Sequence, residues 1–202
     1  EGRRALYAKA DRLVHARALG AFDVGEEPAS VRAAFGDTPF GRGCLTAARL
    51  VAEGVRFVEV TLDGWDTHQD NFGRTKKLMQ ALDPAMSALV AELRRRGLWD
   101  RTLVAWTGEF GRTPRLNARD GRDHHPAAFS AVLAGAGIRG GVVHGATDAE
   151  GAKVVRDPVS VPDLLATMAT ALGLDPGDTV VSPAGRPVAL TDGGVPVRAL
   201  LS

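Results

Sequence analysis

Carboxylates and imidazoles gather in three short segments of this chain: Gly-Trp-Asp-Thr-His at 64–68, Gly-Glu-Phe-Gly-Arg-Thr-Pro at 108–114 and Gly-Arg-Asp-His-His-Pro at 121–126. Asp66, His68, Glu109, His124 and His125 offer the oxygen and nitrogen atoms that zinc and other borderline divalent cations accept. Concentrating such groups in loops is typical of function rather than of core packing. A metal centre drawn from these residues is the first expectation, with zinc the leading ion and manganese or calcium the alternatives.

Each residue type limits what it can do there. Asp66 and His68 are two apart, and a Gly-led loop can converge them on one ion; otherwise Asp66 is a turn residue bonding its own backbone. Asp63, just upstream, reads as a third ligand or an orienting partner. Glu109 suits three roles: metal ligand, general base for metal-activated water, or acceptor orienting a ligating histidine. Arg112 can grip phosphate, sulfate or carboxylate with two parallel bonds, or form a salt bridge to Asp120 or Asp123. Glu109 and Arg112 are thus the candidate catalytic pair. Adjacent side chains usually diverge, so one of His124 and His125 is expected on the metal. Its neighbour is left for substrate, a second ion or a carboxylate. His144 is a candidate substrate contact or an ordinary strand-end histidine, and His15 reads as exposed and inert. Thr67, Thr107 and Thr113 are available hydroxyls, but neither a Gly-x-Ser-x-Gly elbow nor a Walker loop occurs. Hydrolysis by this chain alone would draw on metal-activated water.

Composition narrows the class. With 202 residues, 45% of them hydrophobic, the chain is expected to form a single domain over 1–202, or a large piece of one. A formal net charge of +1 gives no global field toward nucleic acid or an anionic membrane. Cys44 has no second cysteine to pair with and reads as a small core residue. No run reaches the ~20 apolar residues that cross a bilayer, and no signal peptide opens the chain. Glu1 in place of Met suggests a missing upstream segment.

The elements that must position the motifs alternate. Helical periodicity marks 2–19, about 41–53, and 74–96, the last kinked or split by Pro84. Strands are expected at 55–62 (VRFVEVTL), 102–107 (TLVAWT) and 129–134 (FSAVLA), the first two delivering the Asp66 and Glu109 segments from their carboxyl ends. A helix at 160–172, with Asp163 in its first turn and Gly173 at its end, closes the regular part, and 176–202 is a loop-rich tail with short extended pieces. Alternation at these lengths predicts an α/β fold, an α/β/α sandwich with a mostly parallel sheet and ligands beyond its strand ends.

Five motifs carry a resemblance: Gly-Asp-Thr-Pro-Phe-Gly-Arg-Gly at 36–43, the three segments above, and Gly-Ala-Thr-Asp at 145–148. Together they resemble a bacterial family of uncharacterised sulfatase-like proteins in the alkaline phosphatase superfamily, with this chain as its C-terminal half. The resemblance implies an incomplete alkaline-phosphatase-like sandwich and a two-cation site hydrolysing phosphate or sulfate esters. Asp66 and His68 match one metal pair, Glu109 takes the position of a second metal-binding Asp, and His124 or His125 resembles a later His. Phe110 stands where the second pair would have its His. The nucleophile is then expected upstream of Glu1, and the intact protein is expected to be periplasmic or exported, acting on a small anionic ester. A non-catalytic anion- or partner-binding relative and a structural domain of an exported complex are the competing readings.

Overall fold

A computed structural model describes residues 17–202. The expected helix at 2–19, and His15 on it, lie almost wholly outside the described residues; Arg17–Phe22 at its end is a 3₁₀ turn. The chain divides into two compact units. One is the part up to Thr67 together with Phe72–Leu98; the other is His68–Asn71 with Trp99–Ser202.

The first unit is helical. After a short helix α1 (Ala29–Ala34), the Thr38 hydroxyl caps α2 (Pro39–Ala52) by accepting from the Gly41 N–H, and Pro39 starts the helix where no N–H is missed. Phe40, Cys44, Leu45, Ala47 and Ala48 return at helical spacing and are buried. Gly41 must lack a side chain, because a Cβ there would lie 2.1 Å from the Phe35 carbonyl oxygen. Helix α3 (Asn71–Arg95) runs unbroken through Pro84, so the expected division at that residue does not occur. Burial of Leu82, Ala85 and Ala88 against Phe35, Phe40, Cys44 and Leu45 compensates the hydrogen bond that proline cannot donate. Cys44 is a core residue, as its pattern indicated, and burial pushes its thiol up to about 11.

The expected strand at 55–62 is an extended segment that enters no ladder among the described residues. Its period of two survives. Val58, Val60 and Leu62 are half-buried, and Val60 and Leu62 pack on the helical core, while Phe57, Glu59 and Thr61 face out. The side-chain pattern depends only on the local chain, but a ladder also needs a neighbouring backbone.

The second unit holds the strands, in four two-stranded antiparallel pairs. β1 (Leu103–Thr107) pairs with β4 (Ala131–Gly135), β2 (Gly111–Arg112) with β3 (His124–His125), β5 (Ala146–Thr147) with β6 (Val154–Arg156), and β7 (Thr179–Val181) with β8 (Pro187–Ala189). This overturns the α/β/α sandwich with a mostly parallel sheet. Parallel neighbours need a crossover, usually a helix, and the chain between β1 and β4 holds the β2–β3 pair instead, so β4 returns antiparallel.

Helix α4 (Val161–Ala171) carries a reciprocal cap. The Ser160 hydroxyl accepts from the Asp163 N–H at 3.1 Å, and the Asp163 carboxylate accepts from the Ser160 N–H at 3.2 Å. Gly173, at φ +76°, ends the turn as its position in the sequence indicated. The other Asp163 oxygen accepts from the Val195 N–H, and Gly194 lies so close to the Pro162 carbonyl that a Cβ would approach it to 2.0 Å. The loop-rich tail is thereby fastened to α4. Ser160→Ala is expected to cost about 1 kcal/mol of stability, read as a lower midpoint in denaturant titration; an unchanged midpoint would show that the cap contributes nothing.

Candidate metal centre

Two loops and a hairpin bring the chemistry together. Asp70 and Asp120 both take left-handed backbone conformations, at φ 45° and 54°. Beside them the N–H groups of Asp70 and Asn71 donate to the carbonyls of Arg119 and Asp120. Gly121 sits at the centre of this contact, where a Cβ would lie 2.0 Å from the His68 carbonyl carbon. The segment carrying His68 is thus zipped to the segment leading into β3. In the hairpin, His124 lies opposite Arg112 and His125 opposite Gly111.

Neighbouring residues on a strand point to opposite faces, and the two histidines separate accordingly. His124 turns toward His68, with the two Nε2 atoms 3.2 Å apart. His125 Nε2–H donates to the Ala152 carbonyl at 2.7 Å, since a carbonyl can only accept. His68 Nδ1–H donates to the Asp123 carboxylate at 2.7 Å, and the Asn117 amide donates to the same oxygen at 3.0 Å. These bonds, that from His68 foremost, hold the Asp123 carboxyl below its ordinary value.

Asp66, His68 and His124 form a possible metal-binding triad, with ligand atoms all within 4.8 Å of one another. Glu109 and His125, also expected as ligands, are not in it. Glu109 is exposed and meets Arg112 at 3.6 Å. His144 is half-buried just before β5 and is likewise outside the triad, as is the exposed Asp63. Arg112, expected against Asp120 or Asp123 if not on an anion, reaches over the Phe110 ring, 5.6 Å from its centre. Phe110, placed by the resemblance where a second metal-binding His would stand, packs its ring on His124 at 4.4 Å between centres. That contact, and the partnership of Asn117 and Asp123 with His68, were not foreseen. An Asn followed four residues later by Gly in a polar loop, with Asp directly before the histidine pair, was the available signal.

The donor set suits a borderline cation. Two nitrogens at ~2.0–2.1 Å from one tetrahedral ion stand roughly 3.3 Å apart, close to the 3.2 Å between the two Nε2 atoms. Two histidines and a carboxylate leave a position open, the arrangement of catalytic rather than structural zinc sites.

A family model described as a protein of unknown function (DUF1501) matches residues 1–201. This replaces the resemblance to the C-terminal half of a sulfatase-like protein of the alkaline phosphatase superfamily: the match runs along the chain and is to a family without assigned activity. No curated protein and no solved structure matches the chain.

Proposed function

Since the chain belongs to the DUF1501 family of proteins of unknown function, its activity must be read from its own residues, and we propose that it is a metal-dependent hydrolase of small anionic esters, phosphate or sulfate. The observation that carries this is the approach of His68 Nε2 to His124 Nε2 beside Asp66, at the separation two ligands of one zinc ion take. Imidazole nitrogen favours zinc over calcium, and manganese is the second choice. Bound there, the cation would supply Lewis acidity toward an ester oxygen and toward water.

The side chains around the triad divide the remaining work. Arg112, stacked on Phe110 and opposite His124 in the hairpin, is the cation suited to the ester's charged oxygens. Glu109, its ion-pair partner, is the carboxylate suited to take a proton. Water is the attacking group, because the candidate hydroxyls are engaged or enclosed. Thr67 is buried, Thr107 donates to the Gly108 carbonyl, and Thr113 donates to Arg115 while accepting from the Asp123 N–H. Water's oxygen would then bond phosphorus or sulfur as one of its protons passes to Glu109, the ester linkage would break, and that proton would end on the leaving alkoxide to give the alcohol. No helix among the described residues is long and apolar enough to cross a membrane.

The test is turnover of an aryl phosphate and an aryl sulfate by the zinc-loaded protein, beside chelator-treated protein. Expected is hydrolysis of at least one ester, lost on chelation and restored by zinc. Stoichiometric zinc with no turnover of either ester would overturn the hydrolase. It would favour a metal-dependent anion binder, a reading that the exposure of Glu109 also supports.

A further inference from the structure

We propose that Asn117 and Asp123 are positioning residues of the metal centre, holding His68 with its proton on Nδ1 and its Nε2 lone pair directed to the cation. The inference rests on reading Asp66, His68 and His124 as metal ligands.

Asn117 uses its whole hydrogen-bonding capacity on this task. Its Oδ1 accepts from the N–H groups of Arg119 at 2.9 Å and Gly121 at 3.0 Å. Its Nδ2 donates to the His68 carbonyl at 3.1 Å and to Asp123 Oδ1 at 3.0 Å. Backbone N–H groups demand the oxygen and a carbonyl demands the nitrogen, so the partners fix which way the amide points. One side chain thus fastens the backbone of His68, the turn at 117–121 and the carboxylate that meets the His68 ring.

Asp123 Oδ1 is the point where ring and amide meet. An ionised carboxylate only accepts, so the 2.7 Å contact places a proton on Nδ1 of His68, and in the neutral ring, the form that binds metal, Nε2 is then the lone-pair nitrogen. Nε2 is the atom that faces His124 Nε2. Carboxylate to histidine to metal is the usual way an outer partner sets a ligand's tautomer and orientation, and losing that partner typically weakens metal binding ~10–100-fold. The anchoring is built in on every side: the Thr113 hydroxyl receives the Asp123 N–H, and Gly121 lets the loop lie directly on the His68 backbone.

A purely structural role for Asp123 would leave the His68 ring indifferent to its removal, so the test reads the ring itself. In metal-free, ¹⁵N-labelled protein, long-range ¹H–¹⁵N correlation reports which His68 nitrogen carries the proton, and competition with a chromophoric chelator gives zinc affinity. The variants are Asp123→Ala, Asn117→Ala and Asp123→Asn, whose amide oxygen can still accept from Nδ1–H. In the wild type the proton is expected on Nδ1. Asp123→Ala should mix the tautomers and weaken zinc binding ~10–100-fold, Asn117→Ala should weaken it less, and Asp123→Asn should restore the tautomer while recovering part of the affinity. Asp123→Ala with an unchanged tautomer and zinc affinity within about twofold of wild type would overturn the proposal. If the wild type binds no zinc, the triad reading fails by itself. The tautomer comparison then still decides whether Asp123 orients His68.

Discussion

His68→Ala and His124→Ala are each expected to strip the protein of zinc-class metal, while His125→Ala keeps it. Elemental analysis after dialysis against a weak chelator should give about one ion per chain for the wild type and for His125→Ala, and none for the other two. The expectation follows from how the hairpin divides its histidines. His124 Nε2 faces His68 Nε2 at 3.2 Å, whereas His125 Nε2 is spent on the Ala152 carbonyl. Removing one of three protein ligands should weaken binding by more than the ~10–100-fold that follows loss of an outer partner. Both ligand rings are accessible enough, with His68 half-buried and His124 exposed, that truncation leaves no large cavity, so the circular dichroism of the variants should match the wild type. Retention of metal by a well-folded His124→Ala protein would remove the triad and the hydrolase with it. Loss in His125→Ala alone would place the site on the other face of β3.

The second large effect is on stability. Glu92, on α3, is buried at 5% exposure and receives Arg95 through two bonds of 2.7 Å and Arg96 through one of 2.6 Å. Arg96 also reaches Glu27, which in turn holds Arg49 of α2, so a chain of alternating charge ties α3 to α2 and to the turns before α1. The hydrogen bonds from Arg95 foremost, then Arg96, hold the Glu92 carboxyl at about 2 against the opposing effect of burial, from an ordinary 4.5. At ~1.4 kcal/mol per pH unit this corresponds to roughly 3 kcal/mol, the lower end of the cost of breaking a buried pair. The folded value lies below the unfolded one. Its stabilisation is therefore complete above about pH 5, and it is lost as pH falls toward 2. Glu92→Gln is expected to lose about 3 kcal/mol at pH 7 in urea unfolding, and to converge on the wild type near pH 2. Glu27 is also held below its ordinary value, by Arg96 and Arg49 against burial, so the variant keeps part of the acid dependence. A difference under about 1 kcal/mol at pH 7 would show that the remaining pairs compensate; a difference constant from pH 5 to 2 would show that the charge of Glu92 is not its source.

Donor types were legible in the sequence because they are a property of residue type: imidazole and carboxylate in Gly-led loops mark candidate ligands, of which Asp66, His68 and His124 come together as a possible triad while Glu109 and His125 do not. The local devices were legible for the same reason, with Asp163 in the first turn of α4, Gly173 at its end and the helical spacing that buries Cys44 all set within a few residues. The alternation at 55–62 also held, with Val58, Val60 and Leu62 turned inward. What required the tertiary structure was every pairing across a long separation. His68 meets Asp123 and His124 across 55 and 56 residues of sequence, and the register of β2 against β3 decides that His124 rather than His125 makes that approach. The same holds for the sheet. An apolar run signals a strand but carries no record of its neighbour, so the run at 55–62 lies against helices, while β4, arriving without a helical crossover, pairs antiparallel with β1. Side-chain type and local period are written into each segment, whereas strand partner, direction and ligand convergence depend on which distant segments meet when the chain packs.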